Sequence, residues 1–225
     1  MATNTVNGIL VCRGGVNIPL KAEIAEGTES NLTTDTTYTV SAQEIGDYGL
    51  GQTVTSGLVT ADNGIAYAYI LRQGLVAALI PVGIKGSAFQ NSPLLAPFKL
   101  QAGDILRVMS NTAADREAAL SYYTNRGVCR IAVSTPTGGA TNELVDLQTG
   151  NSIGDSVQGQ TIVAAYCTSV DGSKIETPGA VVVDALGNVV GSVPMTNPGA
   201  GQQPLFTPCS IPVNLNFKAQ FLTNA

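Results

Sequence analysis

Gly150-Asn151-Ser152-Ile153-Gly154 has the G-x-S-x-G spacing of a serine-hydrolase nucleophile elbow. In that motif the serine sits on a tight strand-to-helix turn and passes its proton to a base within hydrogen-bond reach, ordinarily a histidine. The chain contains no histidine, and Asp155-Ser156-Val157-Gln158-Gly159-Gln160 lacks the apolar spacing of an amphipathic helix. The segment therefore reads as a turn. The same absence removes His-ligated zinc, HExxH and Cys–His proteases, and the two-His-one-carboxylate iron site. A Ser–Lys dyad is left without its S-x-x-K motif. Gly46-Asp47-Tyr48-Gly49-Leu50-Gly51 has the glycine content of a nucleotide loop in reversed order, and no G-x-x-x-x-G-K-[ST] occurs. With no strand-to-helix unit around it, it too reads as a turn.

Paired carboxylates could run glycoside hydrolysis, but sugar clefts stack their substrate on aromatic rings, and aromatics are 5% here. Asp104, in Leu100-Gln101-Ala102-Gly103-Asp104-Ile105-Leu106, precedes a strand and is expected to cap a tight turn. Asp146 and Asp184 lie within or at the end of apolar runs, as sheet-edge charges that discourage mispairing would. Asp35, Glu44 and Asp47 are neighbours in sequence without the D-x-D-x-D-G order of a calcium loop. Tyr67 and Tyr69 alternate with alanine, which puts both rings on one face of a strand. Without interleaved Lys or Arg, that pair, like Tyr122-Tyr123, fits a core or an interface better than a nucleic-acid stacking platform. Cys12, Cys129, Cys167 and Cys209 are far apart and form no C-x-x-C, so buried free thiols are expected rather than a zinc ribbon or redox pair. No catalytic, cofactor-binding or metal-binding residue is assigned.

The elements that would position these residues are strands. Gly and Pro recur about every ten residues, between short segments rich in Val, Ile, Thr and Tyr. Strands are expected near 7–13, 17–24, 36–43, 53–60, 65–71, 75–84, 105–109, 118–124, 128–134, 144–147, 161–168, 180–184, 188–193 and 213–221. Arg72-Gln73-Gly74 and Asn125-Arg126-Gly127 read as hairpin turns, as does the stretch between Val183 and Val189. Helix is scarce. The run Asn111–Leu120 is compatible with a short helical turn or with strand. No repeat of 20–50 residues is visible, which argues against solenoids and propellers. Long connections at 25–35, 85–97 and 135–142 favour an all-β, antiparallel β-sandwich, most specifically a single jelly roll over residues 1–225. A proline-spaced, loop-rich C-terminal arm is expected from about 194 to 225.

Composition bounds the function. Eleven Lys and Arg with sixteen Asp and Glu make the chain 12% charged, at a net charge of −5, against roughly 25% in ordinary soluble domains. A dense mixed-sign surface normally keeps domains apart, so its scarcity points to a surface covered by copies of the same chain. Positive charge is absent before Arg13, and the missing basic arm makes direct genome contact weak. Met1–Gly8 has neither the basic nor the apolar region of a signal peptide, which predicts synthesis in the cytoplasm without secretion. The apolar stretch from Ile65 to Ile84 is interrupted at Arg72-Gln73-Gly74, short of the roughly 20 residues a membrane-spanning helix needs.

The signal-less Met1, the many short β segments with Gly/Pro/Asn/Thr loops, the turn-into-strand Leu100–Leu106 and the proline-spaced tail from Gln202 onward resemble the small jelly-roll and β-sandwich capsid proteins of DNA viruses. The resemblance implies an icosahedral shell of sandwiches in the virion, each touching several neighbours and other virion proteins too. It implies no cofactor and no enzymatic activity. A virion accessory protein (head decoration, tail or spike) or a carbohydrate-binding β-sandwich module is the alternative.

Overall fold

The computed structural model describes residues 3–25, 27–62, 65–84, 92–110, 118–134, 143–169, 175–194 and 206–223. The protein is all-β, with antiparallel sheets of the β-sandwich class and only two four-residue helices among the described residues. Where one domain was expected over 1–225, contacts divide the chain into two units. The first comprises residues 1–111 and 198–205, the second 112–197 and 206–225.

In unit 1 the strands are β1 (Thr3–Cys12), β2 (Asn17–Ala25), β3 (Glu29–Thr34), β4 (Thr53–Ala61), β5 (Ile65–Arg72), β6 (Leu75–Ile80), β7 (Val82–Ile84), β8 (Ser92–Lys99) and β9 (Ile105–Ser110), with helix α1 at Ile45–Tyr48. The order is β6-β5-β9-β3-β2-β1-β4-β7, with β8 also on β4. Alternation builds the core: Val6 and Leu10 on β1, Ile18, Leu20 and Ile24 on β2, Leu32 on β3, and Leu106 and Val108 on β9 are all buried. Pro81 lacks an N–H and so ends the β5–β6 ladder, while its carbonyl accepts from Val59 N at 3.0 Å. The chain then continues as β7, parallel to β4. The two ends of the strand path are thereby one continuous segment, and the sheet closes on itself.

Unit 2 has β10 (Ala118–Thr124), β11 (Cys129–Ser134), β12 (Glu143–Asp146), α2 (Ile153–Ser156), β13 (Gln160–Ser169), β14 (Ile175–Val183), β15 (Val189–Val193), β16 (Thr207–Val213) and β17 (Lys218–Thr223). Its order is β15-β14-β17-β12-β11-β10-β13-β16. Leu120, Tyr122, Leu144, Ile162, Val182 and Ile211 lie in its core. Gly191 on β15 lies so close to β16 that an added Cβ would stand 2.6 Å from Ile211 Cγ1, so the two edge strands meet here as well.

The two orders match but for β7, which has no counterpart in unit 2. Reading β10–β15 for β1–β6, β16 for β8 and β17 for β9 relates the rest, with β8 and β16 each beside the fourth strand of its unit. Each unit begins with a Greek key, β4-β1-β2-β3 and β13-β10-β11-β12, in which three hairpin-connected strands are joined by a fourth beside the first. The match extends to single hydrogen bonds. Arg13 N donates to Thr53 O at 2.7 Å and Asn125 N to Thr161 O at 2.8 Å; Gly51 N donates to Leu100 O at 3.1 Å and Gly159 N to Val213 O at 2.8 Å. The chain is a tandem repeat of one fold, on a period longer than the 20–50 residues over which the sequence showed none. The strand order gives the jelly-roll expectation no support, because β1–β2–β3 and β5–β6 are successive hairpin neighbours.

Several local expectations are corrected. The strand expected over 36–43 is a turn-rich loop, and the ladder runs instead through Glu29–Thr34, where Leu32 supplies the core contact. Ser92–Lys99, part of an expected connection, is strand, as is Thr207–Val213 in the expected C-terminal arm. Pro208 and Pro212 sit on β16, the last strand of its path, where a missing N–H breaks no ladder. Residues 111–117 of the candidate helix lie outside the described residues; Ala118–Leu120 belong to β10.

Candidate functional site

The antiparallel registers gather one set of turns at one end of each unit. In unit 1 these are the β1–β2 turn at 13–16, the segment 35–52 containing α1, the β5–β6 turn at 72–75 and the β8–β9 turn at 100–104. Both glycine motifs singled out by spacing fall on one element of this end, once per unit. Ile45-Gly46-Asp47-x-x-x-Gly51-Gln52-Thr53 recurs as Ile153-Gly154-Asp155-x-x-x-Gly159-Gln160-Thr161. Ile45 and Ile153 are fully buried. A Cβ on Gly46 would overlap the Gln101 carbonyl and Asp104 amide; on Gly154 it would overlap the Phe217 amide and Asn214 carbonyl. Gly51 and Gly159 have φ of +79° and +69°, which favours glycine. The motif holds a helical turn against the turn before the last strand. Among the described residues, Ser152 Oγ donates to the Asp155 carboxylate at 3.2 Å.

Asp104 does cap its turn, accepting from Gln101 N at 2.8 Å. It also does more than its spacing suggested. Its side chain is wholly buried against Arg72, with Nε–Oδ1 at 2.8 Å and Nη2–Oδ2 at 2.6 Å. Arg72 also donates to Lys99 O at 2.7 Å and lies 4.4 Å over the Phe98 ring. The Asp104 hydrogen bond raises the arginine's pKa further. A carboxylate with every contact committed clasps turns rather than accepting protons from a substrate.

Asp146 is corrected from a sheet-edge charge to an interior one, since β12 lies between β11 and β17. Its Oδ1 accepts from Gln148 N at 3.0 Å and from Thr149 N at 2.9 Å. Its Oδ2 stands 3.6 Å from Arg130 Nε. Nearby, Tyr122 is 0% exposed and its hydroxyl has no hydrogen-bond partner among the described residues. Burial first, then the Asp146 charge, pushes that hydroxyl's pKa far up, so it stays protonated. Asp184 sits in the β14–β15 turn, accepting from Leu186 N at 2.8 Å and Asn188 N at 2.9 Å.

The remaining candidates disperse. Asp35 accepts from Thr37 N, Glu44 accepts from Asn31 Nδ2, and Asp47 is exposed on α1. Among the described residues no group of three His, Cys, Asp or Glu side chains is placed to hold a metal. Tyr67 and Tyr69 are 0% and 3% exposed, with ring centroids 6.1 Å apart, so they offer no platform. Tyr69 donates to Glu29, which Arg107 also faces. Tyr123 and Tyr166 pack edge-on against Phe206 at 5.1 and 4.7 Å. All four cysteines are free, three of them buried. Burial raises every thiol, Cys129 to about 11.

What the turn ends do present is apolar surface. Val16, Tyr38, Val40, Tyr48, Leu50 and Leu75 are exposed at the end of unit 1, and Leu186, Val189 and Leu215 at the equivalent end of unit 2. Of the exposed large hydrophobics among the described residues, only Leu95 lies elsewhere. A shallow groove beside the unit 1 end is lined by Lys21, Glu23, Thr33, Asp35, Thr36 and Thr37. No described helix is long and apolar enough to cross a membrane. No family model, no curated protein and no solved structure matches this chain.

Proposed function

We propose that this chain is a structural protein that assembles with copies of itself into a virion shell. The observation that carries the reading is a chain with only 12% charged residues, folded into β-sandwich units whose turn ends expose large apolar side chains. Few ions need to leave water when such surfaces meet, so the desolvation cost of repeated contacts is low. A stable interface removes roughly 1,600 Å² in total, and several per chain would cover much of each unit. The lack of histidine, the committed carboxylates and the raised thiols support a non-catalytic role. The net charge of −5 favours protein-facing over genome-facing contacts, and the resemblance to small β-sandwich coat proteins supplies the virion context. Negative-stain microscopy of the purified protein tests it: closed shells or sheets are expected, and protein that stays monomeric at high concentration across salt and pH overturns it.

The second reading is an accessory or carbohydrate-binding module. The hydroxyl-rich groove at Lys21, Thr33, Asp35 and Thr37 favours it, since threonine hydroxyls and flanking charges suit a polyol. Small rings without shells, with glycan binding abolished by Asp35→Ala, would decide for it.

A further inference from the structure

The core of unit 2 turns polar near the β10–β11 hairpin. Tyr122 on β10 pairs with Arg130 on β11, and Ala132, two residues along, pairs with Asp146 on β12. Residues two apart on a strand share a face. Register therefore puts all three side chains on the side of the sheet that carries Leu120, Ala132 and Leu144 into the core. The matched positions of unit 1 hold Leu10, Ile18 and Thr34, and no polar atom is left over among them. Leu10 and Ile18 are wholly buried, and the Thr34 hydroxyl donates to Ser41 O at 3.2 Å and accepts from Gln43 N at 2.9 Å.

Unit 2 leaves three atoms over. Asp146 Oδ1 accepts from Gln148 N at 3.0 Å, Thr149 N at 2.9 Å and Thr149 Oγ1 at 3.1 Å. Arg130 Nη1 donates to Cys129 O at 3.3 Å and to Gln148 Oε1 at 3.2 Å. Asp146 Oδ2, Arg130 Nε and Tyr122 Oη are buried and meet no hydrogen-bond partner among the described residues. Each such group left unpaired shifts a folding equilibrium against the native state by roughly tenfold or more. The three share one neighbourhood. Nε and Oδ2 lie 3.6 Å apart, and the Tyr122 hydroxyl feels both charges, since burial and Asp146 raise its pKa while Arg130 lowers it. That separation is too long for a direct N–H···O bond and suits a molecule that bridges both atoms.

The same atoms say what the bridge must be. Arg130 Nε and the protonated Tyr122 hydroxyl donate, and Asp146 Oδ2 accepts, so the occupant must accept twice and donate at least once. The arginine and aspartate charges cancel, so an ion would bring an uncompensated charge into the core. A water molecule meets both conditions, with the three or so partners that buried waters ordinarily have.

We propose that Tyr122, Arg130 and Asp146 form a binding site for one structural water, which completes the polar end of the unit 2 core. Arg130, whose side chain is 23% exposed, gives that water its path to solvent. Unit 1, with leucine and isoleucine at the matched positions, has no such site.

Diffraction from crystals of the full chain, together with hydrogen exchange of Tyr122→Phe, tests this. One water is expected in the density, within about 2.7–3.2 Å of Tyr122 Oη, Arg130 Nε and Asp146 Oδ2. Absence of density between the three atoms, a direct hydrogen bond from Tyr122 to Asp146, or a peak that refines as an ion overturns the site. Tyr122→Phe keeps the ring and removes one of the water's partners. Protection of the β10, β11 and β12 amides should then fall about fivefold to tenfold, the scale of one lost hydrogen bond. A hydroxyl with nothing bound to it gives the opposite sign, because phenylalanine would remove a buried group that was never satisfied. Unchanged or increased protection in Tyr122→Phe therefore also overturns the proposal.

Discussion

Gly46→Ala tests the turn clasp that both units share. The new Cβ would overlap the Gln101 carbonyl and Asp104 amide and stand 2.9 Å from Asp104 Cβ. None of these is the free end of a flexible side chain, so the 100–104 turn has to move. Moving it breaks the 3.0 Å bond from Gly46 N to Asp104 O, and a buried group left unpaired costs about 1–3 kcal/mol. Overpacking adds about 1–3 kcal/mol, for a loss of about 3 kcal/mol. Gly103→Ala is the control. Its Cβ would meet nothing within 4 Å, and only its φ of +79° is unfavourable, which costs about 1 kcal/mol. Hydrogen exchange read by mass spectrometry resolves the effect locally. Protection around Ile45–Tyr48 and the 100–104 turn should fall about a hundredfold in Gly46→Ala and about fivefold in Gly103→Ala. Gly154→Ala should do the same around Ile153–Ser156 and the 214–217 turn. If Gly46→Ala exchanges like Gly103→Ala, the close approach is not what fixes glycine there.

Two more outcomes follow from the buried groups. Arg72→Ala leaves Asp104 buried without its cation and should cost about 3 kcal/mol, toward the low end for a broken buried pair because Arg72 is 27% exposed. The Arg72→Ala/Asp104→Ala double variant should cost clearly less than the two singles added together, read from denaturant melts as a coupling of at least about 1 kcal/mol. The thiols set an alkaline limit. Burial raises Cys129 from 9.0 to about 11, and a group with a raised folded-state pKa contributes stability that is full below its unfolded value and lost as pH climbs through the folded one. Melting temperature should therefore fall between about pH 9 and 11, by less in Cys129→Ala than in the parent. At pH 8 the buried thiols should resist a disulfide reagent, with half-buried Cys209 reacting first; rapid labelling of Cys167 would contradict its burial.

Much of the fold was legible because alternation is a short-range signal. Val6, Leu10, Ile18 and Leu20 mark their faces without reference to the rest of the chain. Strands with weak alternation are hard to read: Glu29–Thr34 gives the core only Leu32 and Thr34, and the apolar residues around Tyr38 and Val40 place the expected strand at 36–43, after the observed one at 29–34. Those two residues are 74% and 105% exposed, so their hydrophobicity belongs to the surface. The Arg72–Asp104 clasp joins residues thirty-two apart, and nothing local in either announces the other. The repeat is present in the letters Ile-Gly-Asp-x-x-x-Gly-Gln-Thr, but so short a match on so long a period stands out little from other glycine turns. Only matched hydrogen bonds showed that the two motifs are one element.

The differences between the two units say which features folding requires. Positions that correspond by strand register hold Leu10, Ile18 and Thr34 in one unit and Tyr122, Arg130 and Asp146 in the other. The buried Asp104 of one turn is matched by Phe217 in the other, since each backbone carbonyl accepts from the equivalent glycine amide. One scaffold thus tolerates either an apolar or a charged interior at the same place, so the buried ion pairs are local solutions to packing rather than a retained site. The glycine clasp recurs because backbone approach leaves no alternative.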